Sequence, residues 1–117
     1  IGRTWYVYSG DQPSGWDCSG LTRWFYSQLG KTIPHSANAQ AHLGKQVMVP
    51  QPGDIVVFGY GNYFLHAAIY VGHGTVIHAG FHKGMTTQLI KLTSPSFAGM
   101  RVMFRRLLPS PNTLRLS

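Results

Sequence analysis

The sequence contains no glutamate, and its only acids are Asp11, Asp17 and Asp54. Chemistry built on paired carboxylates, such as glycoside hydrolysis, is therefore disfavoured, as are hard-cation sites that need several carboxylates. Charged residues make up 11%, against about 25% in an average soluble protein. A single cysteine, Cys18, excludes a disulfide framework within the chain and a thiolate cluster for zinc or iron–sulfur. No run of five or six like charges occurs, which argues against a basic nucleic-acid-binding arm. Residues 55–82 lack Asp, Glu, Lys and Arg. Histidines, Asn62 and glycines interrupt that stretch, and its apolar positions follow a strand period, so it does not read as a membrane span. No signal peptide or initiator methionine is visible, and the chain, opening on Ile1-Gly2, reads as a processed product or an excised domain.

What is present fits one domain: 117 residues, 44% of them apolar. At this size about two-thirds of the unfolded surface can be buried, enough for a core without staples. The formal charge of +7 and the pI near 10 suit an anionic surrounding: nucleic acid, anionic lipid or an acidic polymer such as a cell wall. Leu21, Trp24, Phe25 and Leu29 form one helical stripe, with Asp17 and Ser19 as capping residues and Gly30 as the stop. A shorter helix is predicted from Ser36 to Leu43. From Pro50 the period becomes two. Strands are predicted over Ile55–Phe58, Leu65–Val71 and Thr75–Ala79, with weaker ones over Gln88–Leu92 and Arg101–Phe104. The domain is expected to span residues 1–108, with 109–117 as a tail. Helices followed by strands on short turns imply an α+β fold with an antiparallel sheet.

Cys18 opens the first helix. There the helix dipole favours a thiolate, and backbone N–H groups of a first turn can receive an oxyanion. A nucleophile needs a base, and the base an orienting group. His66 and His78 are candidates because they lie on strands flanking one tight turn. A three-residue loop, Gly72-His73-Gly74, sets Val71 opposite Thr75 and Ala68 opposite His78, which puts both histidines on one face as diagonal neighbours. An even loop would separate them onto opposite faces. His42, His73 and His82 read as solvated, and His35 as a candidate cleft residue. A metal site is not favoured, because the histidines lack Cys or carboxylate partners at ligand spacing.

Four segments in this order, Trp16-Asp17-Cys18-Ser19-Gly20-Leu21, Pro52-Gly53-Asp54-Ile55-Val56-Val57-Phe58, His66-Ala67-Ala68-Ile69-Tyr70-Val71-Gly72 and Ile77-His78-Ala79, resemble the NlpC family of papain-like cell-wall cysteine peptidases. The likeness covers roughly Gly2 to Phe104. It implies Cys18 as nucleophile, His66 as general base and His78 as the residue that orients it. It also implies Tyr6 beside the nucleophile, Asp17 and Ser19 in contact with the peptide stem, and His35 in a substrate motif. That motif, Ile33-Pro34-His35-Ser36-Ala37-Asn38-Ala39-Gln40, usually carries Arg where His35 stands. His-Ala-Ala replaces the usual His-Val-Gly at residues 66–68, and the helix that normally precedes Tyr6 is missing.

The resemblance implies a cysteine endopeptidase that cleaves stem peptides of peptidoglycan next to D-glutamate, most often between γ-D-glutamyl and diaminopimelate, with no metal or organic cofactor. Its expected partners are the stem peptide and the anionic wall, with no nucleic acid and no membrane span, and a monomer is expected. The expected location is extracellular or on the cell wall, as a secreted bacterial enzyme or part of a phage tail. The rivals are a peptidoglycan amidase or other thiol acyltransferase using the same three residues, a wall-binding or virion module that retains the fold, and a nucleic-acid binder.

Overall fold

The computed structural model describes residues 11–12, 15–16, 18–79 and 87–108. Tyr6, Asp17 and the tail 109–117 lie outside the described residues. Strands β1 (Asp11–Gln12) and β2 (Gly15–Trp16) form a small hairpin where the sequence reads as a turn-rich loop. Helix α1 follows over Cys18–Gln28. It closes at Gly30, whose N–H bonds to the Ser27 carbonyl at 3.1 Å while Lys31 N–H bonds to the Tyr26 carbonyl at 2.9 Å, the two-bond helix stop that a glycine allows.

Helix α2 (Ala37–Gln40) is one turn long, shorter than the predicted Ser36–Leu43. Ser36 caps it, accepting from Ala39 N–H at 3.2 Å. Beyond Gln40 the backbone bonds of His42 and Leu43 run to the residue three back, so the helix tightens into turns before Gly44.

The remaining strands are β3 (Lys45–Val47), β4 (Ile55–Tyr60), β5 (Tyr63–Gly72), β6 (Thr75–His78), β7 (Gln88–Lys91) and β8 (Arg101–Arg106). They form one antiparallel sheet in the order β3-β8-β4-β5-β6-β7. The fold is α+β, helices on a six-stranded antiparallel sheet. Among the described residues no helix is long and apolar enough to cross a membrane.

Strand alternation gives the sheet two buried faces. On one, Ile55, Val57, Ala67 and Ile69 pack against Tyr26, Ile33, Ala37 and Ala41 of the helical layer. On the other, Val56, Phe58, Ala68, Tyr70 and Val76 are covered by Phe97, carried on a 3-10 turn at Pro95–Phe97. Both faces being apolar explains the unbroken run Ile55–Phe58. At the start of α1, Leu21 and Trp24 pack against Ile77 and Ala79, which sets the helix start at the end of β6.

The turn before β4 fastens the helical layer to the sheet. Asp54 is buried, accepts from Gln51 N–H at 2.8 Å, and holds Arg106 of β8 through Nε at 3.1 Å and Nη2 at 2.9 Å. The buried Tyr26 hydroxyl donates to the Gly53 carbonyl. Burial, then the negative Asp54, raises that phenol's pKa and keeps it a donor. Hydrogen bonds to a charged group contribute about 1.5–3 kcal/mol, and Asp54→Ala removes those to Arg106, whose guanidinium stays partly open to water, and to Gln51 N–H. The substitution should therefore lower stability in urea denaturation by about 2 kcal/mol. A loss below about 1 kcal/mol would show that Asp54 does not fasten the turn.

Candidate active site

The β5–β6 hairpin decides where the two histidines point. Its loop has two residues rather than the expected three: His73 and Gly74 both take positive φ, 54° and 72°, the pair of left-handed conformations that a type I′ turn requires. A two-residue loop alone would turn the histidines to opposite faces. The register shifts by one between Tyr70 and Gly72, leaving Val71 as an extra residue, so that Tyr70 pairs with Val76 and Ile69 with Ile77. The bulge restores the parity that the shorter loop removes, and the expected face-sharing holds through a different turn.

The result is a bonded pair of imidazoles. His66 Nε2 lies 3.0 Å from His78 Nδ1, with the rings nearly perpendicular. His66 is 2% exposed and His78 0%. Around them Phe58 stacks on Phe97 at 4.2 Å between ring centres, and both rings pack on the His66 ring, at 5.6 and 6.1 Å. Burial in this apolar wall pushes the pKa of both histidines well below the usual imidazole range, and the proximity of His78 lowers His66 further. At neutral pH both rings are uncharged.

Cys18 reaches the histidine strand at the end of the sheet. His66 pairs with Phe58 on the face covered by Phe97, whereas the body of α1 lies on the other face. A second irregularity connects them. The β4–β5 register shifts between Phe58 and Gly59, so Leu65 is an extra residue between the pairs Phe58–His66 and Gly59–Phe64. Gly59 is needed there, because a Cβ would collide with the backbone of Tyr63 and Phe64. The Leu65 carbonyl lies 3.8 Å from Cys18 Sγ. A bulge of this kind re-aims backbone beside a site, and this one brings the sulfur against the residue that precedes His66.

The start of α1 is held by a buried amide. Gln40, fully buried, donates from Nε2 to the carbonyls of Ser19 at 3.0 Å and Pro34 at 2.8 Å, and its Oε1 accepts from Thr22 Oγ1 at 2.5 Å. One amide thus ties the helix start to the Pro34–His35 loop, where His35 is half-buried. Asn38 accepts from Phe64 N–H at 3.0 Å, fixing α2 to β5. Ser19 is buried. The positioning parts, Gln40, Thr22, Phe97 and the Leu65 bulge, were not assigned roles from the sequence. A polar residue on the apolar side of a predicted helix is a signal for Gln40, whereas a bulge leaves none.

Comparison with known proteins accords with this geometry. A family model described as the NlpC/P60 family matches residues 3–103. A protein of Corynebacterium glutamicum named as a probable endopeptidase is 51% identical over 76 residues, 63% of this chain and 35% of that protein. Among solved structures, an NlpC/P60 family protein from Bacillus cereus has a TM-score of 0.86 at 31% identity, over 93% of this chain and 37% of that one. The NlpC/p60 domain of the peptidoglycan hydrolase SagA has a TM-score of 0.77 at 30% identity, over 91% of this chain and 89% of that one. RipD of Mycobacterium tuberculosis, described as a non-catalytic NlpC/p60 domain protein adapted to peptidoglycan binding, shares the fold at a TM-score of 0.67 and 25% identity, over 80% of this chain and 68% of that one. The chain spans about a third of the length of the Corynebacterium and Bacillus proteins. With the family model covering most of its length, the chain belongs to the NlpC/P60 family.

Proposed function

We propose that this chain is a cysteine endopeptidase of peptidoglycan stem peptides, with Cys18 as nucleophile, His66 as general base and His78 as its orienting partner. The observation that carries the reading is the buried His66–His78 bond at the end of the sheet where Cys18 Sγ lies against the Leu65 carbonyl.

The proposed base role fixes where the protons lie. His66 Nε2 is bonded to His78, and the reading assigns Nδ1 as the atom that takes the proton of Cys18. For Nδ1 to be a base, Nε2 must carry hydrogen and donate to His78 Nδ1, which places the His78 proton on its Nε2. Burial keeps His66 in the neutral form a base requires. It also weakens that base, and the negative sulfur formed beside the imidazolium offsets this by Coulomb attraction in a poorly solvated site. The thiolate attacks the amide carbon. The tetrahedral oxyanion forms at the positive end of the α1 dipole, with Tyr6, outside the described residues, as a further donor. His66 Nδ1 then protonates the leaving nitrogen as the C–N bond breaks. Water attacks the thioester carbon, giving a proton to His66; the C–S bond then breaks, the acid leaves, and His66 returns that proton to the sulfur, which restores the Cys18 thiol and the neutral imidazole.

The bond proposed for cleavage joins D-glutamate through its γ-carboxyl to diaminopimelate or lysine, with Asp17, also outside the described residues, pairing with the substrate ammonium. The charge of +7 suits an enzyme that dwells on an anionic polymer, and an extracellular or wall-associated site of action follows from the substrate. Digestion of purified sacculi, with sequencing of the new termini, tests the reading. New diaminopimelate or lysine amino termini support it. Release of intact stems from sugar would make the chain an amidase, and tight binding without any new terminus would make it a binding module.

Cys18→Ala should abolish cleavage with the melting temperature unchanged, since the thiol has a chemical rather than a packing role. A Cys18→Ala protein that still cuts sacculi would exclude the mechanism. His66→Ala should also be inactive and, by emptying space beside the stacked Phe58 and Phe97 rings, should lower stability as well. For His78, replacement by Gln retains an acceptor for His66 Nε2–H and should keep more activity than His78→Leu, with both losses falling on kcat rather than KM. A larger loss at His78 than at His66 would reverse the two roles.

The depressed histidine pKa values give a pH dependence of stability. Below about pH 6.5 the unfolded histidines take up protons that the folded ones refuse, so stability is complete above that pH and falls as the pH drops. Each histidine contributes up to about 1.4 kcal/mol per pH unit within that window. The urea midpoint should therefore decrease from pH 7 to pH 5, with a shallower slope in His78→Gln. A flat profile would mean that the pair is not held neutral.

A further inference from the structure

The row of side chains that holds His66 does not stop at the histidine. Along the β4–β5 ladder, Val56 pairs with Ala68, Phe58 with His66 and Tyr60 with Tyr63. Because the Leu65 bulge takes up one residue, alternation puts Tyr60 and Tyr63 on the same face as Phe58 and His66. Phe58 and His66 are buried, whereas the next pair outward is open: Tyr60 is 56% exposed and Tyr63 63%. Leu65, whose carbonyl touches Cys18 Sγ, is 43% exposed. The tyrosine pair stands about 7 Å along β4 from the Phe58–His66 pair.

This tip is held in place. Arg101 of β8 donates from Nη1 to the Gly61 carbonyl at 2.8 Å and reaches Asn62 Oδ1 at 3.4 Å. Its guanidinium lies 5.5 Å from the Phe64 ring centre, over the other face of the hairpin. The turn is thereby fastened to the neighbouring strand, and the cation is committed away from the tyrosines. The side chains that the register places on the tyrosine face here, Phe58, Tyr60, Tyr63, His66 and Val102, carry no charge at neutral pH.

We propose that the Tyr60–Tyr63 pair is a saccharide-stacking shelf that docks a sugar ring of the glycan strand while the attached stem enters at Cys18. This rests on the peptidoglycan reading above and extends it to the sugar part of the substrate. A pyranose offers a C–H face to an aromatic ring and hydroxyls at its edge, and a tyrosine supplies an apolar face with a polar tip at small entropic cost. A stem peptide carries carboxylates and would need a cation, and none of the side chains that the register places beside the tyrosines is one. The shelf continues the row that holds His66, so a sugar docked there can be covalently continuous with a stem at Cys18.

The test uses the whole chain with Tyr60→Ala, Tyr63→Ala, the double variant, and Tyr→Trp at each position. On a sugar-free stem peptide, kcat/KM should stay within twofold of the parent for all variants. On disaccharide-linked stems the double variant should raise KM about tenfold with kcat within twofold, and the Trp variants should restore it. A second arm needs no hydrolysis: binding of the N-acetylglucosamine tetramer to the Cys18→Ala protein, followed by NMR shifts of the 60–63 amides, should weaken at least fivefold in the double variant. Equal losses on both substrates, no loss on either, or a tetramer that does not bind or binds independently of the tyrosines would overturn the shelf. Tetramer binding lost with the tyrosines in a chain that cuts no stem would leave the shelf standing and remove only the endopeptidase reading.

Discussion

An imidazole–imidazole hydrogen bond buried against a stacked pair of phenylalanine rings carries no net charge, and the site depends on that neutrality. Two protonated rings at this distance and burial would repel each other in a medium that hardly screens them. One protonated ring would have to be desolvated with only a neutral neighbour to compensate. Burial therefore selects a state in which one ring donates and the other accepts; in the proposed mechanism His66 is the donor and its Nδ1 the basic nitrogen. The same wall, Phe58 stacked on Phe97, fixes ring orientation and excludes water. In the proposed mechanism a base held in this way would act through geometry and tautomer more than through intrinsic basicity.

Everything that brings the pair together is a matter of strand parity. The Val71 bulge returns both histidines to one face after a two-residue turn, and the Leu65 bulge swings β5 so that its backbone meets Cys18. The two-faced sheet supplies the rest. One face carries the helical layer and thus the start of α1, the other carries the imidazoles, and they meet at the end of the sheet, where Leu21 packs on Ala79. Gln40 holds the helix start to the Pro34 loop with every amide hydrogen used, and the Asp54–Arg106 pair holds the turn that receives Tyr26. These are fixed supports around a thiol that is itself only half-buried.

Much of this was legible in the sequence because it rests on local rules. The stripe Leu21, Trp24, Phe25 and Leu29 with Gly30 gives α1, whose start at Cys18 falls within the expected Asp17–Gly20 segment, and the change of period at Pro50 gives the sheet. The pairing of His66 with His78 was also legible, although the turn that produces it was not: a three-residue loop and a two-residue loop with a bulge give the same parity, and hydrophobic pattern reports only parity. The length of α2 was overestimated because apolar spacing continues to Leu43 while the backbone has already tightened. Strand β3, three residues at a sheet edge, is too short to show a period. The Pro95–Phe97 turn, which supplies the lid residue of the histidine pair, has its signal in Ser94-Pro95, but nothing local says that Phe97 faces His66.

The claim on which the account turns is that the acyl group of the substrate passes through Cys18 while His66 handles the protons. An acid-quenched single turnover, followed by mass spectrometry of the intact protein and of its Cys18 peptide, examines this directly. With a disaccharide-linked stem as substrate, the account predicts a transient thioester on Cys18 whose added mass is that of the disaccharide together with the amino-terminal part of the cut stem, absent in the His66→Gln protein. New amino termini appearing with no adduct at Cys18 at any time would contradict it.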